Sequence, residues 1–222
     1  MLIISIHQPE HLVWLGLLDK ISQVDEIVLL DTVDFCKNYY QNRNKIRTSQ
    51  GWQWVTVPVE KSNHKPINQI NIIFDGKWQK KYLESVKHSY AKAPYFDEYF
   101  PILEGLITVI CPDNLSELNE MLLRWFMDSL NIKTKISRAS EMKIDSTLKS
   151  TDLLLEICKQ KNARMYLSGP SGKDYLEVHK FIESNIEVDF HTFNHPVYTQ
   201  QYSPFMPNMS TLDYLMNCGG VK

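Results

Sequence analysis

The first 31 residues contain two apolar segments on either side of an amphipathic one, and this order constrains the fold more than any other feature of the sequence. Residues 2–6 are apolar except for Ser5, and residues 27–30 form a second apolar run, which is typical of strands covered on both faces. Between them, residues 12–24 carry an apolar side chain at every third position, as an amphipathic helix does. The segment therefore predicts a β-α-β unit with two parallel strands and a right-handed crossover.

A second unit of the same kind is expected near the other end of the chain. Residues 152–161 have a helical pattern, residues 163–167 and 188–193 have strand patterns, and the stretch "SGPSGKDYLEVHKFIES" opens a helix between the two strands. We therefore predict an α/β fold with a mostly parallel, Rossmann-like sheet flanked by helices.

The middle of the chain has a different pattern. Residues 52–59 and 67–74 alternate well enough to be strands, which predicts a small antiparallel β appendage within residues 50–75. Helices are expected over residues 78–91 and 115–130. The sequence has no visible internal repeat, and we predict that residues 1–222 form a single α/β domain.

Composition and charge argue against several classes of partner. The chain has 222 residues, 43% of them hydrophobic, and a formal net charge of -2, so no basic field draws it to nucleic acid or to an anionic membrane. Its four cysteines lack the paired spacing of a zinc or redox site. Neither a signal peptide nor a membrane-spanning run is apparent, so we expect a cytoplasmic protein without membrane insertion.

The turn after the first strand is the first candidate for chemistry. It reads "HQPEH", residues 7–11, and it follows a strand of a predicted parallel sheet. Ligands of such sheets bind outside the carboxyl ends of the strands, and a neutral imidazole there can accept a proton or hold a phosphate. His7 is therefore a candidate catalytic residue. The alternative is that His7 only bonds a neighbouring backbone group and that Pro9 begins the helix.

A second candidate is the stretch "YLSGPSGKDYL", residues 166–176. Gly169 and Gly172 allow tight turns, and Ser171 followed by Asp174 resembles a capping box. Backbone amides at such a helix start can bind an anion, although the stretch matches neither the P-loop nor the dinucleotide fingerprint. Capping alone explains Ser171 equally well.

Three further sets of residues are candidates for binding or catalysis. Arg43 could grip a carboxylate or phosphate, and Trp52 and Trp54 could stack on a sugar, although tryptophans on a strand more often pack across it. Asp31 closes the second strand, where carboxylates also form turns. His195 precedes a proline, which extends the backbone and directs the side chain away from a strand end.

The stretches "HQPEHLVWLGLLDKI…VDEIVLLDTVDF", "QNRNKIRTSQGWQWVTVPV", "KWQKKYLESVKHSYAKAPYFDEYFP", "YLSGPSGKDYL" and "HPVYTQQYSPFMPNMSTLDYLMNCG" together resemble the WbqC-like family, in order from residue 3 to residue 219. The resemblance implies a role in O-antigen, lipopolysaccharide or other surface-polysaccharide biosynthesis. It also implies transfer of an amino acid, with glycine as one candidate, onto an amino sugar. This chain departs from the family pattern at His11, where an aromatic residue is usual, and at Val13, where a proline is usual.

The resemblance and the motifs together give a set of predicted site residues. The predicted catalytic residues are His7, Asp31 and His195. The predicted substrate-binding residues are Gln8, Asn42, Arg43, Trp54, Ser168, Gly169, Ser171, Asp174, Tyr175 and Tyr198. We predict no metal ligand among the side chains.

The leading hypothesis is an aminoacyl transferase that forms an amide on an amino sugar or a nucleotide-linked amino sugar. Amide formation from a free amino acid is uphill in water, so ATP with Mg²⁺ or another activated acyl donor, such as a carrier thioester, is expected. Two alternatives stay open: a non-catalytic module that binds a sugar nucleotide, and an ATP-dependent enzyme similar in fold to nucleotidyltransferases. A docking face for a polysaccharide-assembly enzyme is a third, and self-association into a homo-oligomer is left open.

Overall fold

The computed structural model describes residues 2–61 and 64–221. Its strands are β1 (Ile3–His7), β2 (Glu26–Leu29), β3 (Arg43–Thr48), β4 (Gly51–Thr56), β5 (Lys135–Arg138), β6 (Met165–Ser168) and β7 (Glu187–Phe190). Its α-helices are α1 (Leu15–Ser22), α2 (Trp78–Tyr90), α3 (Phe96–Thr108), α4 (Leu115–Ser129), α5 (Ser150–Gln160), α6 (Val178–Glu183) and α7 (Thr211–Cys218).

The chain divides into two compact units made of interleaved segments. The first, which we call the sheet unit, contains the residues up to Gln8 together with Gly16–Thr32 and Ile132–Asn194. The second, which we call the hairpin unit, contains Pro9–Leu15, Val33–Asn131 and the residues from His195 onward.

The sheet unit contains a five-stranded parallel sheet in the order β5-β2-β1-β6-β7. The chain starts at the central strand β1, moves outward through β2 to β5, and then returns to the other side of β1 for β6 and β7. The strand order therefore reverses between β1 and β6. This arrangement confirms the predicted α/β fold with its Rossmann-like parallel sheet.

The sheet forms because its strands are apolar on both faces. Ile4, Ile27 and Val28 are fully buried, as expected for strands covered by helices on both sides. The amino end of β2 adds one buried carboxylate, because Glu26 accepts hydrogen bonds from the ammonium groups of Lys161 at 2.6 Å and Lys135 at 3.1 Å. Strand β5 was not expected, since it has only four residues and three of them, Lys135, Ser137 and Arg138, are polar.

The hairpin unit contains the antiparallel appendage, made of β3 and β4. The partner strand that the sequence suggested, residues 67–74, does not form: Ile67–Gln69 is a 3₁₀ turn, and Ile72 makes a single bridge to Val59. Strand β3 is hidden in the sequence because its buried positions include Asn44, whose amide bonds backbone carbonyls instead of packing as a hydrocarbon. Ser62 and Asn63, which the expected appendage included, lie outside the described residues.

Helices make up the rest of the hairpin unit. Asn114 caps α4 by accepting hydrogen bonds from the backbone N–H groups of Ser116 and Glu117 at 2.9 and 3.3 Å. Helix α3 was not expected, because Pro101 lies inside it and proline usually marks a helix boundary. Within the described ranges, every helix is too short or too polar to cross a membrane.

Candidate functional site

The carboxyl ends of β1 and β6 lie side by side where the strand order reverses. Strand β1 ends at His7 and β6 ends at Ser168, and the two strands are hydrogen-bonded neighbours. The hydroxyl of Ser5 adds a bond of 2.7 Å to the carbonyl of Leu167. In open parallel sheets this reversal opens a crevice between the two outgoing loops, which is the usual position of a ligand.

His7 is held by a lysine from the helix that follows it. The Lys20 ammonium lies 3.4 Å from Nδ1 of His7, and the lysine is only 3% exposed. An ammonium can only donate, so Nδ1 of His7 is the acceptor and its proton resides on Nε2. The ring can therefore donate from Nε2 to an oxygen that carries negative charge.

The loop after β6 is shaped by one glycine. A side chain at Gly172 would collide with the Ser168 hydroxyl and would lie 2.9 Å from the Leu176 side chain. A side chain at Gly169 would meet nothing within 4 Å. Gly172 therefore lets the 3₁₀ turn Pro170–Asp174 fold back over Ser168, while Gly169 borders open space.

The remaining predicted residues of this loop lie on the surface. Ser171, Asp174 and Tyr175 are exposed. The expected capping box is not formed, because the 3₁₀ turn has no side-chain cap and α6 begins only at Val178. The loop thus offers polar side chains and backbone to a ligand beside Ser168, which is itself buried.

A histidine that sequence reasoning missed stands at the next strand along. His191 directly follows β7, and its backbone N–H donates to the carbonyl of Ser168 at 2.9 Å. Its Nε2 lies 2.7 Å from Oδ2 of Asp19 on α1. The signal that could have found it is the one that identified His7, a histidine immediately after a buried strand.

Sequence reasoning also missed Lys20, although the spacing of the residues in α1 places it on the buried side of the helix. It follows Leu17 by three residues and precedes Val24 by four, so it falls on the buried stripe of α1. A lysine on such a stripe needs a polar partner, and His7 supplies one.

Asp31 stands after β2, at the same carboxyl edge, and its contacts are with a neighbouring loop. Oδ1 accepts a hydrogen bond from the Ser140 backbone N–H at 2.9 Å, and Oδ2 accepts one from the Ser140 hydroxyl at 2.6 Å. The carboxylate therefore holds the loop after β5 against the loop after β2.

Other predicted residues belong to the hairpin unit, where they form a stack of aromatic and cationic side chains. The Arg43 guanidinium lies 4.1 Å from the centre of the Trp54 ring, and the Lys45 ammonium lies 4.5 Å from that of Trp52. The two indoles meet edge to face at 5.3 Å. Arg43 also donates to the Asn38 carbonyl. Cations over aromatic faces hold the exposed surface of the hairpin rigid.

Asn42 begins this segment and is buried. Its amide donates to the Val57 carbonyl at 3.0 Å, and the Val57 N–H returns a bond to the Asn42 carbonyl at 2.8 Å. This pairing extends the hairpin by one residue pair beyond β3 and β4.

Tyr198 joins a buried network around Asp213. One carboxylate oxygen of Asp213 accepts from the Tyr198 hydroxyl at 2.7 Å and from Gln200 at 2.8 Å, and the other accepts from the Tyr90 hydroxyl at 2.9 Å. Burial raises the pKa of Asp213, against the lowering effect of these donors and of the nearby Arg47 charge. The network links α2, α7 and the segment after His195.

The two ring nitrogens of His195 have complementary partners. Nε2 accepts from the Asn208 backbone N–H at 3.1 Å, so Nδ1 carries the proton and donates to the Pro196 carbonyl at 2.8 Å. The ring also packs edge to face on Phe205. These contacts give His195 a structural explanation within the hairpin unit.

His11, the second histidine of the opening turn, is fully buried. Its ring nitrogens meet Asn119 at 3.2 Å and Tyr82 at 2.8 Å. Burial lowers its pKa to about 4, although the bond to Asn119 raises it. The ring is therefore neutral at cellular pH and serves as a buried hydrogen-bonding group.

The predicted site residues are thus divided between the two units of the fold. The sheet unit holds His7, Gln8, Asp31, Ser168, Gly169, Ser171, Asp174 and Tyr175; the hairpin unit holds Asn42, Arg43, Trp54, His195 and Tyr198. Across the described ranges, no three His, Cys, Asp or Glu side chains are grouped so that they could hold a metal ion.

Comparison with known proteins finds sequence matches over nearly the whole chain. The chain is 32% identical over 220 residues to the uncharacterized protein Rv1507c of Mycobacterium tuberculosis (strain ATCC 25618 / H37Rv), which covers 97% of this chain and 94% of that protein. No solved structure matches. The model of the WbqC-like protein family matches residues 8–222. The chain belongs to the WbqC-like protein family.

Proposed function

We propose that the protein is a cytoplasmic aminoacyl transferase that forms an amide on an amino sugar or nucleotide-linked amino sugar for surface-polysaccharide biosynthesis. The observation that carries the proposal is the polar cluster at the reversal of strand order, where β1 delivers His7 and β6 delivers Ser168. His191 and Lys20 extend this cluster.

The buried position of Lys20 supports chemistry at this point. Burying an ammonium is costly unless it is paired or hydrogen-bonded, and Lys20 is held against the imidazole of His7. A chain that only needed a stable core would place an apolar side chain on this stripe of α1. The pair is explained if a charged donor set is needed at the end of β1.

The reaction that fits this donor set is acyl transfer to nitrogen. The amine nitrogen attacks the acyl carbon, and the bond between that carbon and the leaving group breaks with its electron pair going to the leaving group. The proton lost by nitrogen goes to the leaving group or to solvent. His7, with its proton on Nε2, donates a hydrogen bond to the oxygen that gains negative charge.

The acyl donor must be activated before this step. ATP would supply the activation through an acyl phosphate or acyl adenylate, with the triphosphate lying against the loop at Gly169, where the backbone borders open space. A carrier thioester would need no such phosphate site. We propose the first donor because the reversal of strand order is where open α/β sheets bind nucleotides.

The test is a turnover assay with the full chain. Incubation with ATP, magnesium, mixed amino acids and a nucleotide-linked amino sugar should give a product heavier by one amino-acid residue. The His7→Gln variant should lower its rate by about a hundredfold or more, since removing a donor to a developing oxyanion has an effect of that size. Lys20→Met should also lower the rate, because it removes the partner that keeps the proton of His7 on Nε2. The variant His179→Gln, at an exposed position on α6, should not lower it.

The alternative is a module that binds a sugar nucleotide without turnover. Titration calorimetry separates it from an enzyme: affinity for the nucleotide sugar with no aminoacylated product under any donor condition would favour the module.

A further inference from the structure

A second candidate site lies in the hairpin unit along helix α2. Two cavities run beside this helix, with volumes of about 400 and about 860 Å³. Both are lined by Lys81 and Ser85, so they adjoin each other, and we call the pair the α2 groove. Each volume falls in the size range of ligand pockets.

One end of the α2 groove is aromatic. The smaller cavity is lined by Trp54 from the hairpin and by Trp78 and Tyr82 from α2. The indole N–H of Trp78 is buried and has no hydrogen-bond partner among the described residues. A buried donor without a partner costs free energy, and a bound hydroxyl group that reached it would remove this cost.

The other end of the α2 groove is basic. Lys81, Ser85, His88 and Lys92 recur at spacings of four, three and four residues, so they line one stripe of the helix and its C-terminal extension. Lys87 also lines this end.

The lysines of this end are available to a ligand. Among the described residues that line the larger cavity, Glu84 is the one acidic side chain. It lies 3.9 Å from Lys80, a residue outside the groove. In the part of the chain that the structure describes, Lys81, Lys87 and Lys92 form no ion pair. The basic end therefore presents a positive charge that attracts an anion.

Aromatic side chains stack on the apolar faces of rings, and closely spaced ammonium groups bind phosphates. The distance along α2 from Trp78 to His88 is about 15 Å at 1.5 Å per residue, which spans a sugar ring followed by two phosphates. We infer that the α2 groove binds a glycosyl diphosphate, with the sugar at the tryptophan end and the diphosphate at the lysine end.

This inference goes beyond the proposed function, because it concerns another surface and is measured as binding without turnover. A glycosyl diphosphate occurs either as a nucleotide sugar or as a sugar linked to a prenyl lipid. The groove selects the shared sugar diphosphate, and the two forms are distinguished by experiment.

Calorimetry on the full chain tests the inference with five probes: inorganic pyrophosphate, uridine diphosphate, N-acetylglucosamine, uridine diphosphate N-acetylglucosamine, and farnesyl diphosphate N-acetylglucosamine in phosphatidylcholine vesicles. At least one of the two sugar esters should bind about tenfold more tightly than pyrophosphate or uridine diphosphate, since a stacked ring adds roughly that much affinity. The ester that binds identifies the source.

Matched variants locate the site. The double variant Lys81→Ala, Lys87→Ala should weaken binding of pyrophosphate and of the ester by about tenfold and should reduce the salt dependence of both, whereas Lys133→Ala, at an exposed position of the sheet unit, should change neither. Trp54→Ala should weaken only the ester, whereas Trp52→Ala on the same strand should not. These variants are scored by binding without turnover, so a failure here is separate from a failure of the transferase proposal.

Three results would overturn the inference: no binding of either sugar ester at millimolar concentration, equal affinity for uridine diphosphate and the sugar esters, or equal effects of Lys133→Ala and the double lysine variant. Circular dichroism and thermal unfolding show that each variant is folded. Lys81 and Lys87 are exposed, so the double variant keeps the test decisive even if Trp54→Ala unfolds the hairpin.

Discussion

The Lys20 ammonium lies 3.4 Å from Nδ1 of His7, and this contact determines which nitrogen of the imidazole carries the proton. A lysine is a donor only, so His7 accepts at Nδ1 and donates at Nε2. The pair joins the end of the central strand to the helix that follows it. The proposed role of His7 depends on this tautomer.

The tautomer gives the first prediction. In the wild-type chain near neutral pH, ¹⁵N chemical shifts of the His7 ring should show a proton on Nε2 and a lone pair on Nδ1. Replacing Lys20 with Met removes the donor, and the tautomer with the proton on Nδ1 should then become populated. The account of the pair fails if both proteins show the same mixture of tautomers.

The loop after β6 gives a second prediction, with a control three residues away. Gly172→Ala should lower the free energy of unfolding by about 1–3 kcal/mol, because the new methyl group collides with Ser168 and Leu176. Gly169→Ala should change it by less than about 0.5 kcal/mol, since nothing lies within 4 Å of the added carbon. Urea unfolding measures both. Equal effects would show that the loop does not close over Ser168 as described.

His11 predicts a dependence of stability on pH. Its pKa is lowered from 6.5 to about 4 in the folded chain, chiefly by burial. Below pH 6.5 the unfolded chain binds a proton that the folded chain does not, so stability falls as the pH falls and is complete above 6.5. The loss should reach about 3 kcal/mol near pH 4.

Urea unfolding at several pH values between 7 and 4.5 tests this dependence. His11→Gln should reduce the slope of stability against pH in this window, although it lowers stability at pH 7. His88→Gln, at an exposed position, should keep the wild-type slope. An unchanged slope in His11→Gln would contradict the assignment.

The Asp213 network predicts a difference between two tyrosines. The Tyr90 hydroxyl accepts from the Arg47 backbone N–H at 2.9 Å and donates to Asp213 at 2.9 Å. Tyr90→Phe removes one hydrogen-bond partner from the Arg47 N–H and one from the Asp213 carboxylate. It should lower the free energy of unfolding, measured in urea, by about 1–3 kcal/mol. Tyr39→Phe, at a side chain that is 52% exposed, should cost less than about 0.5 kcal/mol. Similar costs at both positions would remove the structural role of the network.

The parallel sheet could be predicted from the sequence because each of its central strands is marked by a local run of apolar residues. The runs at residues 2–6 and 27–30 are apolar on both faces, which already indicates parallel strands. The helix between them is predicted from the spacing of its apolar residues alone. Strand β3 was missed for the opposite reason. Its buried Asn44 bonds the carbonyls of His11 and Leu12, and such partners, more than 30 residues away, leave no mark in a local pattern.

The residues of the candidate site also fall into those that a local pattern reveals and those that only the packed structure reveals. His7 was found because it directly follows a buried strand, and His191 stands in the same relation to β7, so a stricter use of that rule would have found both. Lys20 was overlooked because a lysine in an amphipathic helix is usually assigned to the solvent side. Only the packed structure places its ammonium beside His7.

The most direct test of the central claim is to map where the full chain binds ATP and a nucleotide-linked amino sugar by amide chemical-shift perturbation. The account predicts shifts at His7, Gln8 and the residues from Gly169 to Gly172, in addition to shifts at the α2 groove, and predicts that Lys20→Met reduces only the first set. Shifts confined to the opposite end of the same sheet, around Glu26, Lys135 and Lys161, or no shift at saturating ligand, would contradict it.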